Sequence, residues 1–348
     1  MKKLLVIVLS LSVALLGVGC SQPSQQTATP APTVTTAAEK PAGPVKVMKI
    51  GSVNAKSRAL SQGLYKFEEY LEKETNGSIN VEVFTDGVLG DDRRTLEGLQ
   101  IGSIQGTTVS TGPISAFVPS IGVFDLPFLF KDAETAYRVL DGPIGQEQLD
   151  ALEGSGFIGL AYWENGWRHV SNSKREITTL EDMKGLKIRT MESPIHVDTW
   201  KALGTNPTPM SFSQLYTALE QKVVDGQENP LANVVSNKLD EVQKFITTDG
   251  HLYGASPFMV SKVFWDTLSD DEKAAVKKVA IMVRDDERKM AQDEDKAAIE
   301  TLTKNGVKIS ELAPGEKDKI KAVLQVIYDK YKGQFGETLM NKVLEATK

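Results

Sequence analysis

The chain has 348 residues, 41% of them hydrophobic and 25% charged, a composition typical of a globular protein of about two domains. Its formal net charge is −6; a product that begins at Cys20 loses two of the 40 basic residues and keeps all 46 acidic ones, for a net charge of −8. This acidic balance argues against a large nucleic-acid-binding surface.

The N-terminus has the pattern of a bacterial secretion signal. Two lysines are followed by an apolar run that is too short to span a membrane, and small residues precede Cys20, the only cysteine. We expect residues 1–19 to be removed as a signal peptide and Cys20 to be lipidated, which would anchor the protein to a membrane surface. Gly17 stands where such signals usually carry leucine, so the alternative is an ordinary cysteine in a signal that is cleaved elsewhere.

Residues 20–44 are predicted to form a disordered tether behind the lipidated cysteine. The segment reads SQPSQQTATPAPTVTTAAEKPAGP after Cys20 and has almost no large apolar side chain. Such a segment cannot bury enough surface to fold. The folded body is therefore expected to begin near Val45.

From Val45 onward the hydrophobic pattern alternates between strands and helices. The first unit is predicted as strand 45–53, helix 57–74, strand 79–84, helix 91–102 and strand 103–110. After the segment GFIGLAYW, a second unit is predicted as strand 186–190, helix 193–203, helix 211–221, strand 223–227 and a helix after Pro230. This alternation is typical of an α/β protein with mostly parallel strands.

A long amphipathic helix is predicted over residues 268–306. Ser269 is its expected N-cap, acidic residues follow, and Asn305 and Gly306 end it. A helix of this length could buttress two domains at once, although a solvated charged face is the simpler explanation of its many charges.

The chain carries no convincing catalytic or metal-binding motif. GSGFIG (154–159) matches a dinucleotide-binding pattern but precedes a strand, so it is interpreted as a helix C-cap and turn. The histidines His169, His196 and His251 are isolated in sequence and are interpreted as structural. We therefore expect no catalytic residue, metal or cofactor.

The segment AYWENGWRHVSNS (161–173) favours a binding role. It places Trp163, Trp167 and Arg168 between the two α/β units, where pockets often form, although the tryptophans could equally be core residues. Arg189 ends the strand in GLKIRTMESP, where an alternating strand normally turns its charges to solvent. Because a guanidinium matches a carboxylate in two parallel hydrogen bonds, Arg168 and Arg189 would together suit an organic anion.

Several of these segments resemble the solute-binding proteins of TRAP transporters, the four-carbon-dicarboxylate-type DctP family. The resemblance is carried by GLKIR, PTPM and DGQENP within residues 185–234, by VLGDDRRTLEGLQIG and FDLPFLF upstream, and by ENGWRHVSNS. It extends from about Val45 to the C-terminus.

The resemblance implies a two-domain, periplasmic-binding-protein-like α/β fold with crossing strands and a long connecting helix. One α/β domain would comprise 45–165 with about 254–294. The other would comprise about 166–253 with 295–348.

The resemblance also implies a set of ligand-binding residues. Arg189 matches the arginine that forms a salt bridge with the substrate carboxylate, and Arg168 matches a second arginine near the anion. Phe212 matches an aromatic residue that packs on the ligand and Asn229 an asparagine that hydrogen-bonds it, whereas Ser110 lies at a variable pocket position. The wall near Ser52 to Asn54 could not be assigned.

The function implied is capture of an organic-acid anion between two closing domains outside the cytoplasm. The solute would pass to the small and large membrane subunits of a permease driven by an ion gradient. A sugar acid such as a uronate is favoured and a dicarboxylate is next. The alternatives are a ligand-sensing lipoprotein that acts with a receptor kinase and a surface-anchored hydrolase with His169 as its base.

Overall fold

The computed structural model describes residues 44–348, so Cys20, the expected signal peptide and all of the tether before Pro44 lie outside the described residues. The strands are β1 (Lys46–Gly51), β2 (Ile79–Phe84), β3 (Gly106–Thr108), β4 (Phe157–Asn172), β5 (Lys187–Thr190), β6 (Asn206–Pro209), β7 (Gly226–Pro230), β8 (Phe245–Ser261) and β9 (Lys308–Ser310). The helices are α1 (Ala59–Glu74), α2 (Asp92–Ile101), α3 (Thr111–Ile114), α4 (Ala133–Leu140), α5 (Pro143–Ala151), α6 (Leu180–Met183), α7 (Pro194–Ala202), α8 (Leu215–Glu220), α9 (Leu231–Ser236), α10 (Lys262–Trp265), α11 (Asp270–Lys304), α12 (Glu316–Phe335) and α13 (Glu337–Ala346).

The strands form a sheet in the order β2-β1-β3-β8-β4-β7-β5-β6, with β9 also on β8. The long strands β4 and β8 pair antiparallel through its middle. The C-terminal part of β8 pairs with β3, whereas its N-terminal part pairs with β9, and β7 pairs with the C-terminal part of β4. The antiparallel pair β4-β8 therefore joins two groups of parallel strands, which are β2-β1-β3 and β7-β5-β6. This is the expected two-domain α/β fold with crossing strands.

Helix α1 shows how the sequence pattern produces the packing. Its buried positions Leu60, Leu64, Phe67 and Leu71 recur at three- and four-residue spacing, so they form one face of the helix. That face packs in a core with the inward side chains of β1 and β2. Phe67 meets Phe258 of β8 edge to face, with ring centroids 4.6 Å apart.

Helix α11 confirms the predicted long helix and joins two cores. Ser269 and Glu272 form a reciprocal capping box at its start. Its N-terminal half contributes Val276, Val279 and Val283 to the core around α1, and its C-terminal half contributes Ala298 and Leu302 to the core around α8 and α9. A single rigid helix thus buttresses both groups of parallel strands.

The strand predictions differ from the structure at three places, and the helix predicted at 211–221 is an α-helix only over Leu215–Glu220. The strand predicted at 103–110 is only Gly106–Thr108, and the strand predicted at 223–227 is shifted to Gly226–Pro230. Residues 206–209, between the predicted helices 193–203 and 211–221, form a strand that was not predicted, β6, which pairs with β5 despite two prolines. This is possible because β6 is the edge strand, where the missing amide donors are not needed by a further neighbour.

The GSGFIG segment adopts the predicted turn. Gly156 follows a short 3-10 helix (Leu152–Ser155) with φ of +84°, and β4 begins at the next residue. The order is helix, turn, strand, the reverse of a dinucleotide-binding loop. In residues 44–348, no helix is both long and apolar enough to cross a membrane.

Candidate functional site

A cavity of about 30 Å³ lies between the two groups of parallel strands. It is reached by the ends of several strands and by the segments that follow them, as is usual for ligand sites in α/β proteins. All five residues predicted to bind a ligand line it. These residues are Ser110, Arg168, Arg189, Phe212 and Asn229.

Arg189 is a buried cation without a carboxylate partner in the described part of the chain. Its side chain is 3% exposed, and its Nε and Nη2 both donate to the carbonyl oxygen of Met210, at 3.0 and 2.8 Å. Phe212 lies beside it, with Cζ of the arginine 5.9 Å from the ring centroid. Burial lowers the pKa of Arg189 to about 10, so it remains charged at neutral pH. An uncompensated buried charge is costly and favours the arrival of an anion.

Arg168 differs because it is already neutralised. Its Nε and Nη2 donate to the carboxylate of Glu228, and Nη2 also donates to the Glu228 carbonyl oxygen at 2.6 Å. Both side chains are almost fully buried. The pair is formed because Arg168 on β4 lies opposite Pro230 of the neighbouring strand β7, two residues beyond Glu228.

A chain of ionic contacts continues from this pair. His251 lies 3.2 Å from Glu228 through Nε2 and 2.9 Å from Asp249 through Nδ1. Burial would raise the pKa of Glu228, but the charge of Arg168 and hydrogen bonds from His251 and Arg168 hold it well below its usual range. Burial would lower the pKa of His251, but the two carboxylates raise it to about 9. His251 is therefore part of a compensated buried network, as a structural histidine should be.

Asp92 is an acidic residue that lines the cavity and was not predicted to do so from the sequence. It is the first residue of α2, directly after the N-cap Asp91. Desolvation raises the pKa of Asp92 to about 7, although the positive charge of Arg189 opposes the shift. The sequence GDDRR is typical of the start of a helix, so no local pattern distinguishes Asp92 from an ordinary capping residue.

Three of the four asparagines that line the cavity are linked by hydrogen bonds. Asn233 Nδ2 lies 3.2 Å from Asn165 Oδ1 and 3.3 Å from Asn229 Oδ1, and Asn165 Nδ2 donates to Ser110 Oγ at 3.1 Å. Two buried oxygens at the cavity have no hydrogen-bond partner among the described residues, Asn233 Oδ1 and Thr108 Oγ1. They are available to hydroxyl groups of a ligand. Asn165 and Asn233 stand inside ENGWR and ENPLAN, next to the motif residues that were recognised.

The segment near Ser52 to Asn54, which the sequence did not assign, forms part of the cavity wall. Val53 and Asn54, in the loop after β1, line the cavity, and so does Met191 just after β5. The side chain of Asn54 is fixed by a hydrogen bond to Ser52 Oγ at 3.2 Å.

The tryptophans of the crossing segment do not line this cavity. Trp163 is fully buried and stacks on Phe258 with a centroid distance of 4.9 Å, so it is a core residue. Trp167 packs against Tyr253. His169 is likewise not part of the lining, and its Nδ1 accepts a hydrogen bond from the Gly250 amide at 3.0 Å. The hydrolase hypothesis therefore lacks its base at the cavity.

No cluster of three or more metal-ligating side chains is formed by the residues that the structure describes. The chemical capability of the cavity is instead that of an anion-binding pocket. It offers one uncompensated cation, one acid of raised pKa, and a group of amides and hydroxyls.

Comparison with known proteins also supports a ligand-binding role. Residues 50–334 match the family model described as bacterial extracellular solute-binding protein, family 7. The 2,3-diketo-L-gulonate-binding periplasmic protein YiaO of Escherichia coli is 36% identical over 70% of this chain and 74% of that protein. The sugar acid binding protein DctPAm of Advenella mimigardefordensis, solved with galactonate, superposes with a TM-score of 0.85 at 38% identity, covering 87% of this chain and 98% of the other. A TRAP periplasmic solute-binding protein of Sulfurospirillum deleyianum, solved with succinate, gives 0.83 at 32% identity, covering 88% and 100%.

Proposed function

Because the chain belongs to the bacterial extracellular solute-binding proteins of family 7, a family of transport binding proteins and not of enzymes, we propose that it captures an organic-acid anion and delivers it to a TRAP permease. The preferred solute is a sugar acid such as a uronate or an aldonate. A dicarboxylate is the second candidate.

Arg189 is the single observation that carries the proposal. Arg58, Arg168 and Arg288 are also buried, but each of them has a carboxylate partner. In the described region Arg189 contacts only the carbonyl oxygen of Met210 and the ring of Phe212. Its guanidinium is therefore available to pair with the carboxylate of a ligand. Two parallel hydrogen bonds from a guanidinium to a carboxylate are the strong form of this interaction.

The charge of the cavity favours one carboxylate over two. Arg168 is compensated by Glu228, whereas Arg189 has no carboxylate within salt-bridge distance among the described residues. Asp92 would repel a second carboxylate whenever it is ionised. The unpartnered oxygens of Thr108 and Asn233 fit hydroxyl groups instead. Since galactonate and succinate are both bound by structural neighbours, the family likeness alone does not choose between these classes.

Domain closure would complete the site. We propose the boundaries given above, 45–165 with about 254–294 and about 166–253 with 295–348. They are supported by the direct pairing of Gly166 with Gly254 in β4 and β8, next to a shift of register. An anion that contacts Arg189 on one side and Asp92 or Ser110 on the other would stabilise the closed state.

The cellular setting of the proposal rests on the N-terminus and on the family. Members of the family act outside the cytoplasm. We further propose that Cys20 is lipidated after removal of the signal peptide and holds the protein at the cell membrane. The partners would then be the small and large membrane subunits of a permease driven by an ion gradient.

A thermal-shift screen of the mature protein tests the proposal. The panel contains hexuronates, aldonates, dicarboxylates, 2-oxo acids and neutral sugars. A ligand that binds only the native state adds about 2.7 kcal/mol of stability at a hundredfold excess over its dissociation constant. Stabilisation by sugar acids alone supports the proposal, and stabilisation by dicarboxylates alone would show that the preference is wrong. If no acid raises the melting temperature, the anion-binding function itself is wrong.

A further inference from the structure

Arg58 is a buried arginine next to the cavity that is not among its lining residues. It directly precedes α1 and is 1% exposed. Its Nη2 donates to the backbone oxygen of Asn165 at 2.8 Å and to the side-chain Oδ1 of the same residue at 3.1 Å, and its Nη1 donates to Glu294 of α11 at 2.8 Å. The arginine therefore connects a residue of the cavity wall to the long helix.

The hydrogen bonds of Asn165 determine which way its amide faces. Oδ1 accepts from Arg58 and from Asn233, which fills both of its acceptor positions. Nδ2 donates one hydrogen to Ser110 Oγ. The second hydrogen has no partner among the described residues, and Asn165 lines the cavity, so this N–H is available to an oxygen of the ligand.

We propose that Arg58 is a positioning residue that fixes the amide of Asn165 with its donor group at the ligand, an inference that rests on the proposed function. The oxygen and nitrogen of an amide are nearly equal in size, so hydrogen bonds decide their orientation. Arg58 cannot accept a hydrogen bond, so rotation of the amide would set two donors against each other. Glu294 holds the other end of the guanidinium in place.

A double-mutant cycle with D-galactonate as the probe tests this role. Arg58→Met and Asn165→Ala are each expected to weaken binding about tenfold, the size of one well-made hydrogen bond. The double variant is expected to bind no more weakly than Asn165→Ala, because Arg58 acts through that residue. Additive losses, or wild-type affinity in Arg58→Met, would overturn the inference.

Arg288→Met is the matched control. Arg288 lies on α11, pairs with Asp141 at 2.7 and 2.8 Å and donates to the Tyr162 carbonyl oxygen, but it does not line the cavity. Its loss is expected to lower the melting temperature without changing affinity. An equal loss of affinity in Arg288→Met would mean that Arg58 is merely structural.

A ligand-free measurement separates this inference from the proposed function. The side-chain amide signal of Asn165 in a ¹⁵N NMR spectrum is identified by its absence in Asn165→Ala. It is expected to move in Arg58→Met, and in Arg58→Lys if the methionine variant does not fold, but not in Arg288→Met. An unmoved signal overturns the inference, whereas failure of wild-type protein to bind any acid counts only against the proposed function.

Discussion

Arg189 donates two hydrogen bonds to the carbonyl oxygen of Met210, at 3.0 and 2.8 Å, yet no carboxylate of residues 44–348 lies within salt-bridge distance of it. Arg168, which lines the same cavity, is held by the Glu228 carboxylate through hydrogen bonds from its Nε and Nη2. The two arginines look equivalent in sequence, but in the described structure only Arg168 has a carboxylate partner. Arg189 is the one arranged to receive an anion.

Arg189→Met should abolish most ligand binding while leaving the fold intact. We expect a loss of about 2 to 5 kcal/mol of binding free energy, measured by isothermal titration calorimetry. The free energy of unfolding should not fall, because the removed cation has no carboxylate partner in the described structure. Near-normal affinity of the variant would contradict the assignment.

Arg168→Met provides the contrast and should lower stability as well as binding. It removes the two-point partner of the buried Glu228 carboxylate and leaves only the contact to His251, which costs up to about 3 to 5 kcal/mol. Urea unfolding of the ligand-free protein measures this loss. Equal stability of the Arg168 and Arg189 variants would mean that the two arginines are not distinguished by their pairing.

Asp92→Asn should change which acids are bound. Removing the carboxylate removes repulsion of a second ligand carboxylate, so the affinity for succinate should rise about tenfold, a change of about 1.4 kcal/mol. In the wild type, succinate should bind more tightly as the pH falls from 8 to 6, because the pKa of Asp92 is about 7 and its neutral form repels less. Titrations with succinate at several pH values check both effects. If the affinity of Asp92→Asn keeps the same pH dependence, that dependence must come from another titrating group.

His251 should make stability fall at alkaline pH. Its pKa is raised from 6.5 to about 9 in the folded protein, so its contribution is complete below pH 6.5 and is lost as the pH rises through 9. The shift corresponds to roughly 3 kcal/mol at most. Urea unfolding of wild-type and His251→Gln proteins between pH 6 and 9.5 tests this. In the variant the free energy of unfolding should depend less steeply on pH. An unchanged pH dependence would exclude His251 as the cause of the alkaline loss of stability.

Gly166→Ala should destabilise the crossing point of the two long strands. Gly166 has φ of +113°, and a Cβ there would lie 2.7 Å from Asp295 Oδ2 and 3.1 Å from Pro230 Cβ. We expect a loss of about 1 to 3 kcal/mol in the free energy of unfolding. Gly154→Ala is the matched control, since its Cβ would have no heavy atom within 4 Å, and it should change stability little. Equal stability of the two variants would remove the argument for strain at Gly166.

The amino-acid sequence by itself determined the parts of this protein that depend on local pattern. The spacing of apolar residues and a Ser269 cap were enough to place α1 and α11, because a helix face and its first turn are fixed by neighbouring residues. The motifs also named five residues that all line one cavity. That these residues bind the ligand stays a prediction.

Only the tertiary structure decided the charge of the site. Glu228 is 60 residues from Arg168 in the chain, and the pairing of β7 with β4 brings its carboxylate within hydrogen-bond distance of the guanidinium. Asp92 and Arg189 are brought to one cavity from separate strand groups, which no local pattern encodes. The balance of buried charges is set by long-range packing, so the difference between a compensated and an available arginine appears only in the folded chain.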